Sequence, residues 1–127
     1  MSGQVVHFEI PMDDAERAQS FYREAFGWSI MPMPEMSYTI VGTTPSENGM
    51  PTSPGAINGG MFTRQEPRNS PILVIAVDSI DEALPNIESL GGKVSLPKMQ
   101  VGDMGWAAYF IDTEGNLLGL WENATPA

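Results

Sequence analysis

Apolar and polar residues alternate along the start of the chain and then change to a helical period. Val5, His7 and Glu9 alternate with the apolar residues Val6, Phe8 and Ile10. This two-residue period is typical of a strand with one apolar face. Helical spacing follows, and its apolar positions are Ala15, Ala18, Phe21, Tyr22 and Ala25. Gly27 is a typical residue to end that helix.

The same order of elements returns 65 positions later. HFEIPMDDAERAQSFYREAFGW (7–28) aligns without a gap with ILVIAVDSIDEALPNIESLGGK (72–93). Gly27 then falls on Gly92. A fixed internal period indicates two copies of one structural unit.

Polar residues at the start of each helical pattern are candidate caps. Asp13 or Asp14 precedes the first helix, and Asp13 with Glu16 fits a capping box. Ser79 with a glutamate three residues later gives the second helix a similar start. Pro85 lies inside the second pattern and is expected to kink or fray its first turns.

Three short strands are predicted after each helix, at about 28–33, 36–42 and 56–63, and at about 93–97, 105–112 and 116–122. The fold class is therefore α+β, with two tandem βαβββ modules in one domain over 1–127. Module one covers about 4–64, the linker about 65–70 and module two about 71–123. Residues 43–56 are rich in Pro, Gly and Ser and read as a loop, which is either a lid or disordered.

Composition excludes several kinds of function. The 127 residues contain no cysteine, which excludes disulfides and thiolate chemistry. Six basic against sixteen acidic residues give a net charge of −10, which argues against nucleic-acid and anionic-membrane partners. No leader or long apolar run is visible, so we expect a cytoplasmic location.

Two segments resemble the vicinal oxygen chelate superfamily, the glyoxalase/bleomycin-resistance/dioxygenase fold. They are VHFEIPMDDAERAQSFYREAFGW at the start and MGWAAYFIDTEGNLLGLWE (104–122) at the end, and the second is similar to the family's closing strand. The resemblance extends over nearly the whole chain and is closest to the glyoxalase-related branch of uncertain activity. It implies a cup-shaped, barrel-like mixed sheet with helices outside, and a homodimer.

Enzymes of that family hold one metal with four residues in the cup, and the resemblance places these positions here. They fall on His7, on Gly59 or Gly60, on Ile72 and on Gly119. Only His7 has a side chain that can ligate a metal. We therefore expect no metal and no other cofactor, with a divalent metal as the alternative. Asn58 is a weak further donor only if its strand has a different register.

Residues of like parity share one face of a strand, so Glu9 is expected on the same face as His7. The two are candidates for acid–base catalysis, and a close carboxylate would favour the imidazolium form of His7. The candidate ligand contacts all lie in the predicted strands of module two: Trp121, Leu117, Gly119, Ile72, Tyr109 and Trp106. Tyr38 lies in a predicted strand and could face either side.

The resulting prediction is a glyoxalase/bleomycin-resistance-like protein that binds a small organic molecule without the usual four-ligand metal site. One alternative is a divergent metal-dependent glyoxalase-like lyase or isomerase that uses His7 and Glu9. A second is a non-catalytic dimeric interaction module. The sequence does not name the ligand, and it leaves open whether the cup forms within one chain or across a dimer.

Overall fold

The structure is a computed structural model that describes residues 3–48 and 50–124. The chain divides into two compact units. The N-terminal unit is His7–Pro71, and the C-terminal unit begins at Ile72 and includes the segment before His7. Each unit contains one helix and a mixed four-stranded sheet, so the α+β class and the repeated βαβββ order are confirmed.

The N-terminal unit follows the predicted order of elements. Its larger elements are β1 (Val5–Met12), α1 (Ala15–Phe26), β2 (Ser29–Met33), β3 (Tyr38–Gly42) and β6 (Asn58–Thr63). The sheet order is β2-β3-β6-β1, with β1 and β6 parallel and the other neighbours antiparallel. A short 3-10 turn, Pro34–Met36, precedes β3.

The sequence predicted a loop over residues 43–56, but this segment contains some regular structure. Two very short strands, β4 (Ser46–Glu47) and β5 (Met50–Pro51), pair as an antiparallel hairpin. The side chain of Asn58 anchors this hairpin. Its Oδ1 accepts from the Thr43 amide at 2.9 Å, and its Nδ2 donates to Ser46 Oγ at 2.8 Å.

The C-terminal unit repeats the architecture with β7 (Ile72–Ala76), α2 (Ile80–Ser89), β8 (Lys93–Val101), β9 (Gly105–Ile111) and β10 (Leu117–Asn123). Its sheet order is β8-β9-β10-β7, with β10 and β7 parallel. Strand β8 is longer than predicted and pairs with β9 through two register shifts. Helix α2 continues across Pro85.

The helix caps reproduce the 65-residue repeat. Asp14 caps α1 by accepting from the Arg17 amide at 3.0 Å, and Ser79, at the matching position, caps α2. The Asp13–Glu16 capping box does not form, since Asp13 instead pairs with Arg64 at 2.8 Å. Gly27 ends α1 with φ +72°, a backbone conformation that favours glycine.

Each helix covers one face of its own sheet. In the N-terminal unit the core on that face is built from Met12, Val41 and Met61, with Phe8, Ile10 and Tyr22 packed around it. In the C-terminal unit it contains Ile80, Ala108, Phe110 and Leu120. The opposite face of each sheet is called the distal face below. Among the described residues, no helix is long and apolar enough to cross a membrane.

Candidate functional site

Strand alternation places the first candidate pair on the distal face of the N-terminal unit. Phe8 and Ile10 pack on the helix side, so the side chains of His7 and Glu9 emerge on the other side. His7 is half-buried, whereas Glu9 is only 7% exposed. The sequence prediction that the two share a face agrees with this placement.

Tyr38 joins the two side chains and is the residue that the sequence did not assign. Its hydroxyl lies 2.8 Å from Nε2 of His7 and donates to Oε2 of Glu9 at 2.9 Å. The Tyr38 and His7 rings are nearly parallel, with an interplanar angle of 16° and centroids 6.5 Å apart. The three side chains therefore form one hydrogen-bonded group, the His7–Tyr38–Glu9 chain.

Gly60 provides the room for this arrangement. In the sheet register Gly60 is the partner of both Glu9 and Ile40, and the Tyr38 ring lies across it. A Cβ atom built on Gly60 would lie 1.9 Å from the Tyr38 hydroxyl oxygen. Glycine is required here because a neighbouring side chain occupies the space of the missing methyl group.

The register also settles which glycine falls on the second expected metal position. Gly59 faces the helix side, because its Cβ would meet the Phe8 ring at 2.5 Å. Gly60 is therefore the distal-face position. Asn58 pairs directly with His7, but its side-chain oxygen and nitrogen already hold the 43–56 segment.

These residues do not fit the family's metal. The positions at Gly60, Ile72 and Gly119 offer no side-chain donor, and Nε2 of His7 is hydrogen-bonded to Tyr38. Within residues 3–48 and 50–124, no cluster of three or more His, Cys, Asp or Glu side chains is arranged to hold an ion. A divalent first-row metal commonly takes three or four protein ligands.

Burial decides the charge of His7. Desolvation lowers the pKa of His7 below its ordinary value, and the nearby Glu9 carboxylate, which acts to raise that pKa, does not offset it. The sequence predicted the opposite direction, because it considered the carboxylate and not the burial. The neutral imidazole is therefore the prevailing form near pH 7.

Beside the His7–Tyr38–Glu9 chain, the distal face of the N-terminal unit is apolar and partly exposed. Met31 and Ile40 are cross-strand partners that are 54% and 42% exposed. Ile40 is also the neighbour of Gly60. An apolar surface next to a few polar groups is the usual composition of a small-molecule site.

The distal face of the C-terminal unit carries most of the other predicted contacts. Tyr109, Gly119 and Val74 meet there, since a Cβ on Gly119 would lie 3.3 Å from the Tyr109 ring and 3.2 Å from Val74. Leu117, Trp121 and Ile72 share this face by strand alternation. Tyr109 and Ile72 are buried, and Trp121 donates from its indole to Asn123 Oδ1 at 2.7 Å.

Trp106, which was predicted as a ligand contact with the other five residues, does not lie on their face of the sheet. Its side chain packs against the helix-side cluster of the C-terminal unit, and the Lys98 ammonium lies 5.0 Å from its ring centroid. Trp106 and Tyr109 are three residues apart on one strand, so they point to opposite faces. Trp106 is a packing residue in this structure.

Comparison with known proteins gives the same assignment as the fold. A model of the family described as bleomycin resistance protein-like N-terminal matches residues 4–44. A "Glyoxylase-like domain-containing protein" of Didymella fabae is 30% identical over 122 residues, which cover 91% of this chain and 91% of the relative. "Putative glyoxylase CFP32" of Mycobacterium bovis and Mycobacterium tuberculosis is 29% identical over 122 residues, or 90% of this chain. The chain spans only 43% of the length of those mycobacterial proteins.

Solved structures share the fold at low identity. A variant of Streptomyces coelicolor methylmalonyl-CoA epimerase in complex with 2-nitronate-propionyl-CoA superposes with a TM-score of 0.66 and 16% identity, covering 98% of this chain and 100% of the other. At that identity the likeness establishes the fold and not the activity. The nearly full-length match to the Didymella fabae relative shows that the chain belongs to the glyoxalase-like family of the vicinal oxygen chelate superfamily.

Proposed function

We infer that this protein binds a small organic molecule on the distal face of its N-terminal unit, without the four-ligand metal site. The observation that carries the proposal is the His7–Tyr38–Glu9 chain beside the exposed side chains of Met31 and Ile40. The His7–Tyr38–Glu9 chain offers hydrogen bonds to a polar group of the ligand. The apolar strip offers a surface for the rest of the molecule.

The chemistry of this face favours a ligand of low charge. The β-strands that carry the distal face of the N-terminal unit contain no lysine or arginine, although the Arg68 guanidinium lies 4.6 Å from the ring centroid of Phe62 on β6, and the whole protein has a net charge of −10. A strongly anionic ligand would meet an unfavourable potential. Methionine adapts its shape to different partners, so Met31 suits a ligand with an apolar portion.

A mild proton transfer is the reaction that this face supports. His7 is kept neutral by burial, which is the state that a general base requires. Glu9 and Tyr38 supply the hydrogen bonds around it. The metal-dependent lyase or isomerase is disfavoured by the donor set at His7, Gly60, Ile72 and Gly119.

Ligand contact on the distal face of the C-terminal unit is a separate prediction. Tyr109, Gly119, Leu117, Ile72 and Trp121 share a distal face, and family resemblance is the reason to expect ligand contact there. Among them Trp121 offers a half-exposed aromatic ring, which suits stacking on a planar group. The cytoplasmic location stays a prediction from the sequence.

A thermal melt in the presence of EDTA tests ligand binding. A panel of uncharged aromatic and carbonyl compounds is added, and a true ligand at 100 times its Kd stabilises the folded state by about 2.7 kcal/mol. Ile40→Glu places a carboxylate on the proposed surface and should abolish the rise in Tm. Leu90→Glu is the matched control, because Leu90 is 71% exposed and lies in the other unit. No rise with any compound, or a rise that survives Ile40→Glu, contradicts the proposal.

A homodimer is the second element of the proposal, and α1 favours it. Phe21 and Phe26 are exposed on this helix, and Phe21 lies between Arg17 and Glu24. Two copies related by a two-fold axis would bury the rings and bring unlike charges together. Sedimentation equilibrium should give twice the chain mass for the wild type and a single chain mass for Phe21→Glu. A monomeric wild type contradicts this part.

A further inference from the structure

The hydrogen bond that Tyr38 donates to Glu9 indicates where the protons lie in the His7–Tyr38–Glu9 chain. Tyr38 has one hydroxyl proton, and it is donated to Oε2 of Glu9 at 2.9 Å. The same oxygen lies 2.8 Å from Nε2 of His7. Because a hydroxyl has a single proton and two acceptor lone pairs, the proton of that second bond comes from Nε2.

The other ring nitrogen of His7 is then the one with a lone pair. In the described part of the chain no hydrogen bond reaches Nδ1, and no buried side-chain nitrogen or oxygen there lacks a partner. Nδ1 is therefore not fully buried. A ligand on the distal face would meet a basic nitrogen and not an N–H donor.

Tyr38 reaches this position only because of Gly60. The three atoms nearest to a Cβ built on Gly60 all belong to Tyr38, at 1.9, 2.1 and 2.3 Å. In the family's enzymes this strand position supplies a metal ligand. Here a tyrosine hydroxyl occupies the space above the glycine and binds the histidine nitrogen.

We propose that Tyr38 is a positioning residue that, with Glu9 as its acceptor, holds His7 in the Nε2–H form and leaves Nδ1 as the proton acceptor toward a bound ligand. An O–H or activated C–H bond of the ligand breaks, and an N–H bond forms at Nδ1. The electron pair stays on the ligand, and the imidazolium later returns the proton to the ligand or to water. This inference rests on the proposed binding face.

Nitrogen-15 NMR of the imidazole tests the inference directly, because His7 is the only histidine. In the metal-free protein at pH 8, long-range proton–nitrogen correlation should show Nε2 protonated and Nδ1 unprotonated. The Nε2 proton should exchange slowly with water. A spectrum with the proton on Nδ1 overturns the inference.

Two variants separate positioning from general stability. Tyr38→Phe should abolish the slowly exchanging Nε2–H signal and shift both nitrogen resonances toward tautomer averaging. Gly60→Ala should also abolish the slowly exchanging Nε2–H signal, although His7, Tyr38 and Glu9 are not themselves replaced. Tyr22→Phe is the matched control, since Tyr22 stacks on Trp28 at 4.9 Å in the helix-side core, and it should leave the signal unchanged. An unchanged signal in folded Tyr38→Phe overturns the inference.

The NMR result and the ligand result are independent. If a ligand raises the Tm of the wild type but the imidazole carries its proton on Nδ1, only the role of Tyr38 is wrong. If the Nε2–H form is found and no ligand binds, the proposed function is wrong and the hydrogen-bonded chain is structural.

Discussion

Replacing Gly60 with alanine should displace Tyr38 from His7 and Glu9. The new methyl group would lie 1.9 Å from the Tyr38 hydroxyl oxygen, whereas non-bonded carbon contacts are near 3.5 Å, so the hydroxyl must move by about 1.5 Å. Hydrogen bonds of 2.8 and 2.9 Å do not survive a displacement of that size. The colliding atoms belong to the end of a side chain, so the backbone can stay in place.

The expected cost follows from the burial of Glu9. Loss of one partner of a buried polar group costs about 1–3 kcal/mol, and Glu9 is only 7% exposed. Urea denaturation of wild type and Gly60→Ala should show that loss as a lower midpoint at an unchanged slope. Gly59→Ala should cost more, since its methyl group would also lie 2.5 Å from the carbonyl oxygen of Phe8.

A double-mutant cycle with Tyr38→Ala isolates the cause. With the ring removed, alanine at position 60 should be neutral or should stabilise the strand by about 0.5–1 kcal/mol, because glycine is unfavourable inside strands. The sign of the Gly60→Ala effect should therefore reverse between the two backgrounds. An equal cost in both would show that Gly60 makes room for something other than Tyr38.

Three further changes test other parts of the structure. Burial lowers the pKa of His7, so the unfolded protein binds more protons at this residue than the folded protein does. The free energy of unfolding should therefore fall as the pH drops from the ordinary histidine value of about 6.5 through the lowered pKa. In that window the free energy of unfolding of the wild type should depend more steeply on pH than that of His7→Asn, and equal slopes would contradict the burial of His7. Asn58→Ala should speed proteolysis within 43–56 without a large loss of global stability. Limited digestion with the protease Glu-C measures the rate of cleavage, and an unchanged rate would contradict the anchoring role of Asn58. Glu122→Ala should lower stability by about 1–2 kcal/mol in urea melts, since Glu122 accepts from the Ile80 amide at 2.8 Å at the start of α2; an unchanged midpoint would refute that cap.

Local signals in the sequence predicted most of the fold. Asp14 and Ser79 cap helices 65 positions apart, and Gly27 ends α1 in the left-handed conformation. Strand alternation predicted one apolar face, and its residues Phe8 and Ile10 pack on the helix side. These features depend on neighbours within one element, so a single sequence carries them.

The site depends on register and burial, which the sequence does not carry. Tyr38 reaches His7 and Glu9 only because β3, β6 and β1 align to place its ring over Gly60. An aromatic residue diagonally across a sheet from a glycine is a signal that could have suggested this contact. The direction of the His7 pKa shift likewise depends on how deeply the imidazole is buried. Trp106 could have been placed correctly, since strand parity separates it from Tyr109.

The metal content of the protein, purified without chelators, tests the central claim most directly. It is read together with melting curves in EDTA, Ni²⁺ and Zn²⁺. We predict substoichiometric metal and the same Tm in all three conditions, because His7 is the one side-chain donor among the four expected positions and Gly60, Ile72 and Gly119 offer none. Stoichiometric metal that EDTA removes with a fall in Tm would contradict the account and support the metal-dependent enzyme.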